Sequence, residues 1–341
     1  MAVVKANAYG HGSVGVSKFI EKKKLADYLG VAFPEEGLEL RQAGIEMPIH
    51  VLTLAVPRQL NLYVENKLEP TVCVPAHFEE FNRIGTRTRK TISVHLKVDT
   101  GMNRIGLQKQ SWEQIPKALA KLKRVQVKGI FTHFATSGEK DQSFARAQLA
   151  LFQDSLEYFR HHGIVAEETH CANSGAILDL PDSYCSMVRP GIMMYGYYPS
   201  QTTSETIPIQ PAMKLKTRVA MVKRIEAGES VSYGRRFTAK RSTTIATLPI
   251  GYADGLFRSL SNNINVLIEG MQFPVVGTIC MDQCMVDCGD ARVDVDDEAV
   301  FIGSQQEHSQ TAWALAERVG TIPYEILCSI SARVPRTYQT S

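Results

Sequence analysis

The sequence predicts an α/β protein: a (β/α)8, TIM-like barrel followed by a mainly β C-terminal domain. Three observations carry that prediction. Short β-rich apolar runs alternate with helical stretches over the first two-thirds of the chain, the order that builds a parallel sheet with helical crossovers. After Pro199 the alternation stops and β-branched patterning takes over without crossovers, as an antiparallel arrangement requires. The length, 341 residues, suits two domains at ~150 residues each. The boundary is expected in the polar, Pro-bearing stretch SQTTSETIPIQP, giving domains 1–206 and 207–341.

The barrel strands are read at AVVKA (2–6), DYLGVAF (27–33), PIHVLT (48–53), EPTVCV (69–74), ISVHLKVD (92–99), KGIFTHF (128–134), EETHCAN (167–173) and MVRPGI (187–192). Helices are expected between them at 13–24, 35–43, 111–122 and 142–162. In the last of these Phe144, Leu149, Phe152, Leu156 and Phe159 recur near helical spacing. Eight such runs favour a closed barrel; an open doubly wound sheet, the runner-up, generally has fewer strands. Beyond residue 212 the strand-like runs are LKTRVAMVKRI, STTIATLPI, INVLIEG, FPVVGTICM and EAVFIG, with helical signal returning at 312–319 and near the end.

Composition excludes several classes. With 44% hydrophobic and 21% charged residues the chain is globular, neither disordered nor fibrous. A net charge of +3 with no basic block interleaved with aromatics gives no support to nucleic-acid or membrane-surface binding. No apolar run reaches the ~18 residues of a membrane span, and no signal-peptide pattern opens the chain. A cytoplasmic protein is the expectation. The odd count of seven cysteines agrees with reduced thiols. Cys280, Cys284 and Cys288 repeat every four residues, but in a strand-like segment that spacing places small buried residues on one face, so no metal is expected.

Function in a barrel gathers at the C-terminal strand ends. Those ends carry Lys5, Lys97, Asp99, His133, Asn173, Ser174, Arg189 and Gly191, a polar and cationic set suited to an anionic ligand. Lys5 lies within an apolar run, where burial would disfavour its ammonium and leave an amine able to form a Schiff base; a lysine snorkelling from a strand end fits the position equally. Gly10, Gly12 and Gly15 match G-x-G-x-x-G, with Glu35 twenty residues beyond Gly15. A dinucleotide fingerprint, however, has its first glycine closing the strand directly, whereas here 6–9 intervene. A glycine-rich turn, with Tyr9 offering a hydroxyl to a phosphate, fits better.

AVVKANAYGHG resembles the cofactor-lysine segment of alanine racemases, pyridoxal-phosphate enzymes with a barrel and a β domain. HLKVDTGMNRIG, THFATS, HCANSGA, VRPGIMMYG, VSYGRRF, LPIGYADG, VGTICMDQ and VPR follow in that family's order. The resemblance implies a racemase interconverting L- and D-alanine, supplying D-alanine for peptidoglycan. It implies that Lys5 holds pyridoxal 5′-phosphate as a Schiff base and serves as one of two bases. Tyr9, Asn173, Ser174, Gly191 and Ile192 would help hold the cofactor, the backbone amides gripping its phosphate. Arg189 would face the pyridine nitrogen, which a guanidinium cannot fully protonate. The cofactor is then a weaker electron sink, and side reactions are limited. His133 would brace Arg189, or be a satisfied core histidine.

Arg104 resembles the residue near the substrate carboxylate, and Lys97 its companion, a lysine carbamylated by CO2. Tyr233 matches the second base; His170 is the expected link that tunes it. Tyr252, Met281 and Asp282 resemble the entrance and pocket wall. In the family Tyr233, Met281 and Asp282 come from a second subunit, so a homodimer with shared sites is implied.

Two departures stand out. Met1 lies four residues before Lys5, where the family carries a strand and a helix of roughly thirty residues; an unpaired sheet edge in the β domain is expected, with a risk of aggregation. Ala332, in SISARVPR, stands where some family members have tyrosine, leaving room for a side chain such as that of serine. The alternatives are therefore a broader alanine/serine racemase and an inactive truncated paralogue. A basic-amino-acid decarboxylase is disfavoured by Arg189, and a cofactor carrier by the whole second domain.

Overall fold

The structure, a computed structural model, describes residues 1–339. The chain forms two compact units, one of residues 1–8 and 12–209, the other of residues 9–11 and 210 onward.

The first unit is built on seven parallel strands that pair in chain order: β1 (Ala2–Val3), β2 (Leu29–Val31), β3 (Ile49–Leu54), β4 (Leu68–Val72), β5 (Ile92–Lys97), β6 (Val125–Phe131) and β7 (Glu168–His170). Leu29, Val31, Ile49, Val51, Val72, Val94 and Leu96 are almost wholly buried, as strands covered on both faces demand. The eighth expected strand does not form as one. Pro190 has no N–H to give a ladder. Yet the segment bridges the two edges of the sheet: the Met1 and Val3 nitrogens donate to the carbonyls of Val188 and Pro190, while the Arg189 N–H donates to Ala172. Arg189 thereby acquires its place beside the end of β7.

Helices cover the sheet at Ser13–Lys23, Pro34–Gln42, Leu60–Glu65, Pro75–Thr88, Gln114–Leu119, Ser143–His161 and Ser174–Asp179. The expected helix at 111–122 is shorter, because Pro116 is tolerated only near a helix start. In Ser143–His161 the inward stripe is Ala145, Gln148, Leu149, Phe152, Ser155 and Phe159. Phe144 is off that stripe and exposed, with its ring against Gly101, where a Cβ would come within 2.9 Å of it.

Lys5 is not inside a strand, as the apolar run suggested. Strand pairing ends at Val3, and Lys5 opens a turn in which Ala6, Asn7, Ala8 and Tyr9 all have φ between 51° and 53°. Left-handed backbone costs about 1–2 kcal/mol for each non-glycine residue. It is held by the Ala8 N–H on Val4 O, the Ala6 N–H on Glu36 Oε1 (2.7 Å), and Asn7, whose carbonyl accepts from Gly12 and whose Oδ1 accepts from Ser13. Gly10 and Gly12, at φ 82° and 96°, extend the same turn. The glycine motif thus serves backbone conformation and does not close a strand.

The second unit is an eight-stranded sheet whose paired strands are all antiparallel. Its strands are β8 (Leu215–Arg218), β9 (Met221–Ile225), β12 (Thr243–Leu248), β13 (Asn265–Ile268), β14 (Met271–Val276), β15 (Cys284–Gly289), β16 (Glu298–Gln305) and β17 (His308–Gln310), ordered β17-β16-β13-β14-β15-β12-β9 with β8 on β16. A separate ribbon, β10 (Ser230–Val231) with β11 (Phe237–Thr238), brackets Tyr233. Ile225, Val231, Ala239, Ile245 and Val276 form a buried cluster beneath it. Cys284 and Cys288 share the inward face of β15, as expected, but Cys280 precedes the strand.

Candidate active site

In the first unit, four residues at the ends of β6 and β7 converge on Arg189. Its guanidinium is buried: Nη1 lies 2.7 Å from His170 Nδ1, and Nη2 donates to Thr132 O (2.7 Å) and Cys171 O (3.1 Å) and lies 3.2 Å from His133 Nδ1. Burial lowers its pKa to about 10, so it stays charged at neutrality. Among the described residues no acceptor takes its Nε–H. Burial and the neighbouring Arg189 charge hold His170 and His133 well below the usual histidine range, so both are neutral acceptors.

This geometry corrects one expectation. His170 is no link to a tyrosine: Arg189 occupies its Nδ1, and its Nε2 lies 3.0 Å from His95 Nδ1. His95 Nε2 in turn lies 2.8 Å from Glu69 Oε2, and Lys128 Nζ donates to Glu69 Oε1 at 2.7 Å. Guanidinium only donates, so each proton is placed in turn: His170 carries its hydrogen on Nε2, His95 on Nε2, and Glu69 receives. Burial raises the Glu69 pKa, but the hydrogen bonds from His95 and Lys128 and the charge of Lys128 outweigh it and hold the carboxylate below its ordinary value. His50, His95 and His170 bring ring nitrogens within 4.8 Å of one another. His95 and His170 each use both ring nitrogens in this relay, whereas His50 places Nδ1 3.1 Å from Glu69 O and Nε2 3.4 Å from Thr71 Oγ1.

Lys97 ends β5 with its amine 4.6 Å from the Phe131 ring centroid. Burial first, then Arg189 and Arg104, lower its pKa to about 7, so much of it is a free amine at neutral pH. Arg104 itself is exposed on the loop after β5. Asn173 caps the helix Ser174–Asp179 through Oδ1 to the Ala176 N–H, and its Oδ1 accepts from Ser137. The buried Ser174 Oγ accepts from the Gly191 N–H (2.9 Å), with Met193 N at 3.4 Å. Ile192 starts the following short turn. A hydroxyl, a helix start and loop amides therefore meet in one cradle.

In the second unit, Tyr9 is buried, its ring 6.0 Å from that of Tyr324, and burial with Tyr324 and Cys328 raises its pKa. Tyr233 is 73% exposed. Its loop is stapled to the segment before β15: Thr278 Oγ1 donates to Tyr233 O, and Ser232 Oγ to Thr278 O. The Tyr252 and Ala253 nitrogens donate to the carbonyls of Cys280 and Met281; a Cβ on Gly251 would sit 2.3 Å from Cys280 O. These segments enclose a concavity of about 670 Å3 lined by Tyr233, Tyr252, Arg258, Met281 and Asp282 among others. Arg333 holds Asp282 and Asp254, each at 2.7 Å.

The family model for the alanine racemase N-terminal domain matches residues 1–199, and that for the C-terminal domain matches residues 212–338. The chain belongs to the alanine racemase family. Alanine racemase 2 of Caldanaerobacter subterraneus subsp. tengcongensis is 45% identical to it over 340 residues, covering 99% of this chain and 87% of that protein. The alanine racemase of Carboxydothermus hydrogenoformans is 44% identical over 344 residues, covering 99% and 92%. Among solved structures, the alanine racemase of Clostridium difficile 630 superposes with a TM-score of 0.92 at 41% identity, covering 98% of this chain and 87% of that one. The Bartonella henselae alanine racemase, solved with covalently bound pyridoxal phosphate, gives a TM-score of 0.87 at 30% identity, covering 99% and 92%.

Within this family member, sequence reasoning missed His95, Glu69 and Lys128. One signal was available. His95 and Lys97 sit two apart in a parallel strand, hence on one face, and a polar pair there breaks the apolar run such a strand needs. Among the described residues no helix is long and apolar enough to cross a membrane.

Proposed function

We propose that this enzyme interconverts L- and D-alanine with pyridoxal 5′-phosphate as cofactor, using Lys5 and Tyr233 as bases on opposite faces of the substrate Cα. The observation that carries the reading is Arg189: four acceptors fix its two terminal nitrogens and leave the Nε–H directed by them. A single fixed donor suits an aromatic ring nitrogen. Lys5, opening the turn after β1, would hold the cofactor's aldehyde carbon. The Ser174 hydroxyl, the Gly191 and Ile192 amides and the helix start capped by Asn173 would take its phosphate, with Tyr9 adding a hydroxyl. When bound, the cofactor supplies an electron sink that acidifies the Cα–H of an amino acid.

The chain's own residues do the rest. Lys5 Nζ takes or returns the proton on one face and Tyr233 Oη on the other, so neither enantiomer is favoured by the protein's proton inventory. Arg104 would grip the substrate carboxylate. A neutral Lys97 amine is the form that reacts with CO2, and the carbamate would turn a cation beside Arg104 into an anion that orients it. Arg189 stays protonated on all three nitrogens and keeps the electron sink weak.

We further propose that residues 1–206 carry cofactor binding and residues 207–341 the second base. The enzyme would act as a cytoplasmic homodimer in which Tyr233, Met281 and Asp282 of one copy complete the site of the other. The exposure of Tyr233 supports this reading, since a core tyrosine would be covered. The product would be D-alanine for peptidoglycan.

The test is incubation of purified protein and pyridoxal phosphate with L-alanine in D2O. Deuterated D-alanine is expected. In Tyr233→Phe, exchange at the Lys5 face should persist while inversion falls by two or more orders of magnitude, as loss of one positioned acid–base group does (~10²–10⁴-fold). Full inversion by Tyr233→Phe would refute the two-base assignment.

A further inference from the structure

Cys171 follows directly on β7, and Cys185 lies in the turn that leads to Arg189; their sulfurs are 3.8 Å apart. The two differ in setting. Cys171 is fully buried, and its single thiol proton lies between two acceptors, Ser183 O at 3.0 Å and the Cys185 sulfur, whereas Cys185 is exposed. The Cys185 backbone is in the left-handed region, φ 52°. Its turn is laced to β7: the Ser186 and Met187 nitrogens donate to Thr169 O, and the Thr169 N–H donates to Ser186 Oγ at 2.7 Å. The two sulfurs are thus held as neighbours by the hydrogen bonds that tie residues 186 and 187 to Thr169.

We propose that Cys185 and Cys171 form a dithiol that a hydroperoxide oxidises to an intramolecular disulfide. The Cys185 thiolate attacks one peroxide oxygen, the O–O bond breaks, and the departing hydroxide takes up a proton as water, leaving a sulfenic acid. The Cys171 sulfur then attacks the Cys185 sulfur, its proton and the sulfenic hydroxyl leave as a second water, and the S–S bond forms. Two thiols and one hydrogen peroxide become one disulfide and two waters. From 3.8 Å, reaching bonding distance takes about 1.8 Å of approach.

The electrostatics assign the order of the two sulfurs. Hydrogen bonds from Cys171 and Thr169, with the Arg189 charge, bring the Cys185 pKa to about 7, while the contact with Cys185 and burial raise that of Cys171. An exposed thiolate beside a buried thiol is the arrangement of an attacking and a resolving cysteine. The bond would clamp the 183–187 turn to the end of β7, where the Cys171 carbonyl accepts from Arg189.

The test uses the full, reduced chain near neutral pH, treated with a few equivalents of hydrogen peroxide, blocked with N-ethylmaleimide and cut before aspartate. Asp179 and Asp182 lie between the two cysteines, so a disulfide appears as two fragments held together, separated by dithiothreitol. Two fewer blocked thiols per chain and that linked pair are expected. Cys185→Ser, a near-isosteric change at an exposed position, should abolish the link and leave Cys171 blocked only after denaturation. Cys171→Ser should stop at a Cys185 sulfenic acid captured by dimedone. Cys185 sulfinic acid beside an intact Cys171 thiol in the unaltered chain, or oxidation of Cys328 with both thiols untouched, would overturn the proposal.

Discussion

Nη1 of Arg189 lies 2.7 Å from Nδ1 of His170, and that contact fixes the direction of every hydrogen bond from the barrel mouth to Glu69. Because the guanidinium must donate, both histidines are neutral with their protons on Nε2, and the chain ends on a carboxylate that only accepts. A positive and a negative end, joined through two buried imidazoles, stabilise each other across a low-dielectric interior. Glu69 therefore positions Arg189 without touching it.

Glu69→Gln should weaken this arrangement, since an amide keeps one acceptor but loses the charge that faces Lys128 and His95. The expected loss is about 1–3 kcal/mol of stability, read by urea unfolding. The pH dependence has a definite sign. A carboxylate held below its ordinary value adds stability above the unfolded-state pKa of about 4.3, and that contribution is lost as pH falls through the lower folded-state value. The Gln variant should lack this part of the acid limb. An acid profile identical to that of the parent chain would show that Glu69 is not the anchor.

Gly129 bears on the same chain from the neighbouring strand. A Cβ there would lie 2.1 Å from His95 Nδ1, the nitrogen that accepts from His170. Gly129→Ala must displace the imidazole and break the chain at its middle. A cost of about 1–3 kcal/mol is expected from overpacking, together with a change in the histidine side-chain 15N spectrum as His95 and His170 lose their fixed tautomers. Unchanged 15N shifts would contradict the assigned proton positions.

Lys97 predicts a slope that lies at higher pH. Its folded-state pKa is about 7 against about 10.4 in an unfolded chain. Between those values the unfolded state binds the extra proton, so this group makes stability rise with pH, by up to about 1.4 kcal/mol per pH unit. Lys97→Met should remove that slope and be more stable than the parent near pH 7. Carbamylation would reduce the slope as well, so unfolding is measured with CO2 excluded, and 13C-labelled CO2 should then add a carbamate resonance absent in Lys97→Met.

Much of this was legible in the sequence, for physical reasons that differ by residue. The β-branched runs around Val51, Val94 and Leu96 announce buried parallel strands, because only strands covered on both faces read as continuous apolar segments. The change of pattern after Pro199 announces the second sheet. Residues 187–192 read as a strand, but Pro190 allows only a bridging segment, a distinction set by hydrogen bonding and invisible to hydropathy. The roles of His170 and His133 were harder to separate. Both lie within a strand-like run, and only the fold shows that His170 Nε2 is occupied by His95, a residue 75 positions away. The left-handed run at 6–9 left no signal beyond the glycines after it.

Ala332 leads to the last prediction. It is exposed and precedes Arg333, whose Nη2 holds Asp282 and whose Nε holds Asp254. Asp282 lines the concavity with Tyr233, Tyr252 and Met281, so position 332 borders the groups that set its width. A tyrosine there adds a ring and a hydroxyl where the chain has a methyl group. Ala332→Tyr should therefore narrow the substrate range, raising kcat/KM for alanine relative to serine by roughly 5–150-fold, the ~1–3 kcal/mol available from one small group in a pocket. Stability should change by less than about 0.5 kcal/mol, as for other surface substitutions. Competition between the two amino acids in one reaction reads the ratio directly. If it does not move while the variant keeps its stability, the width of the site is set elsewhere, with Met281 and Tyr252 the next positions to change.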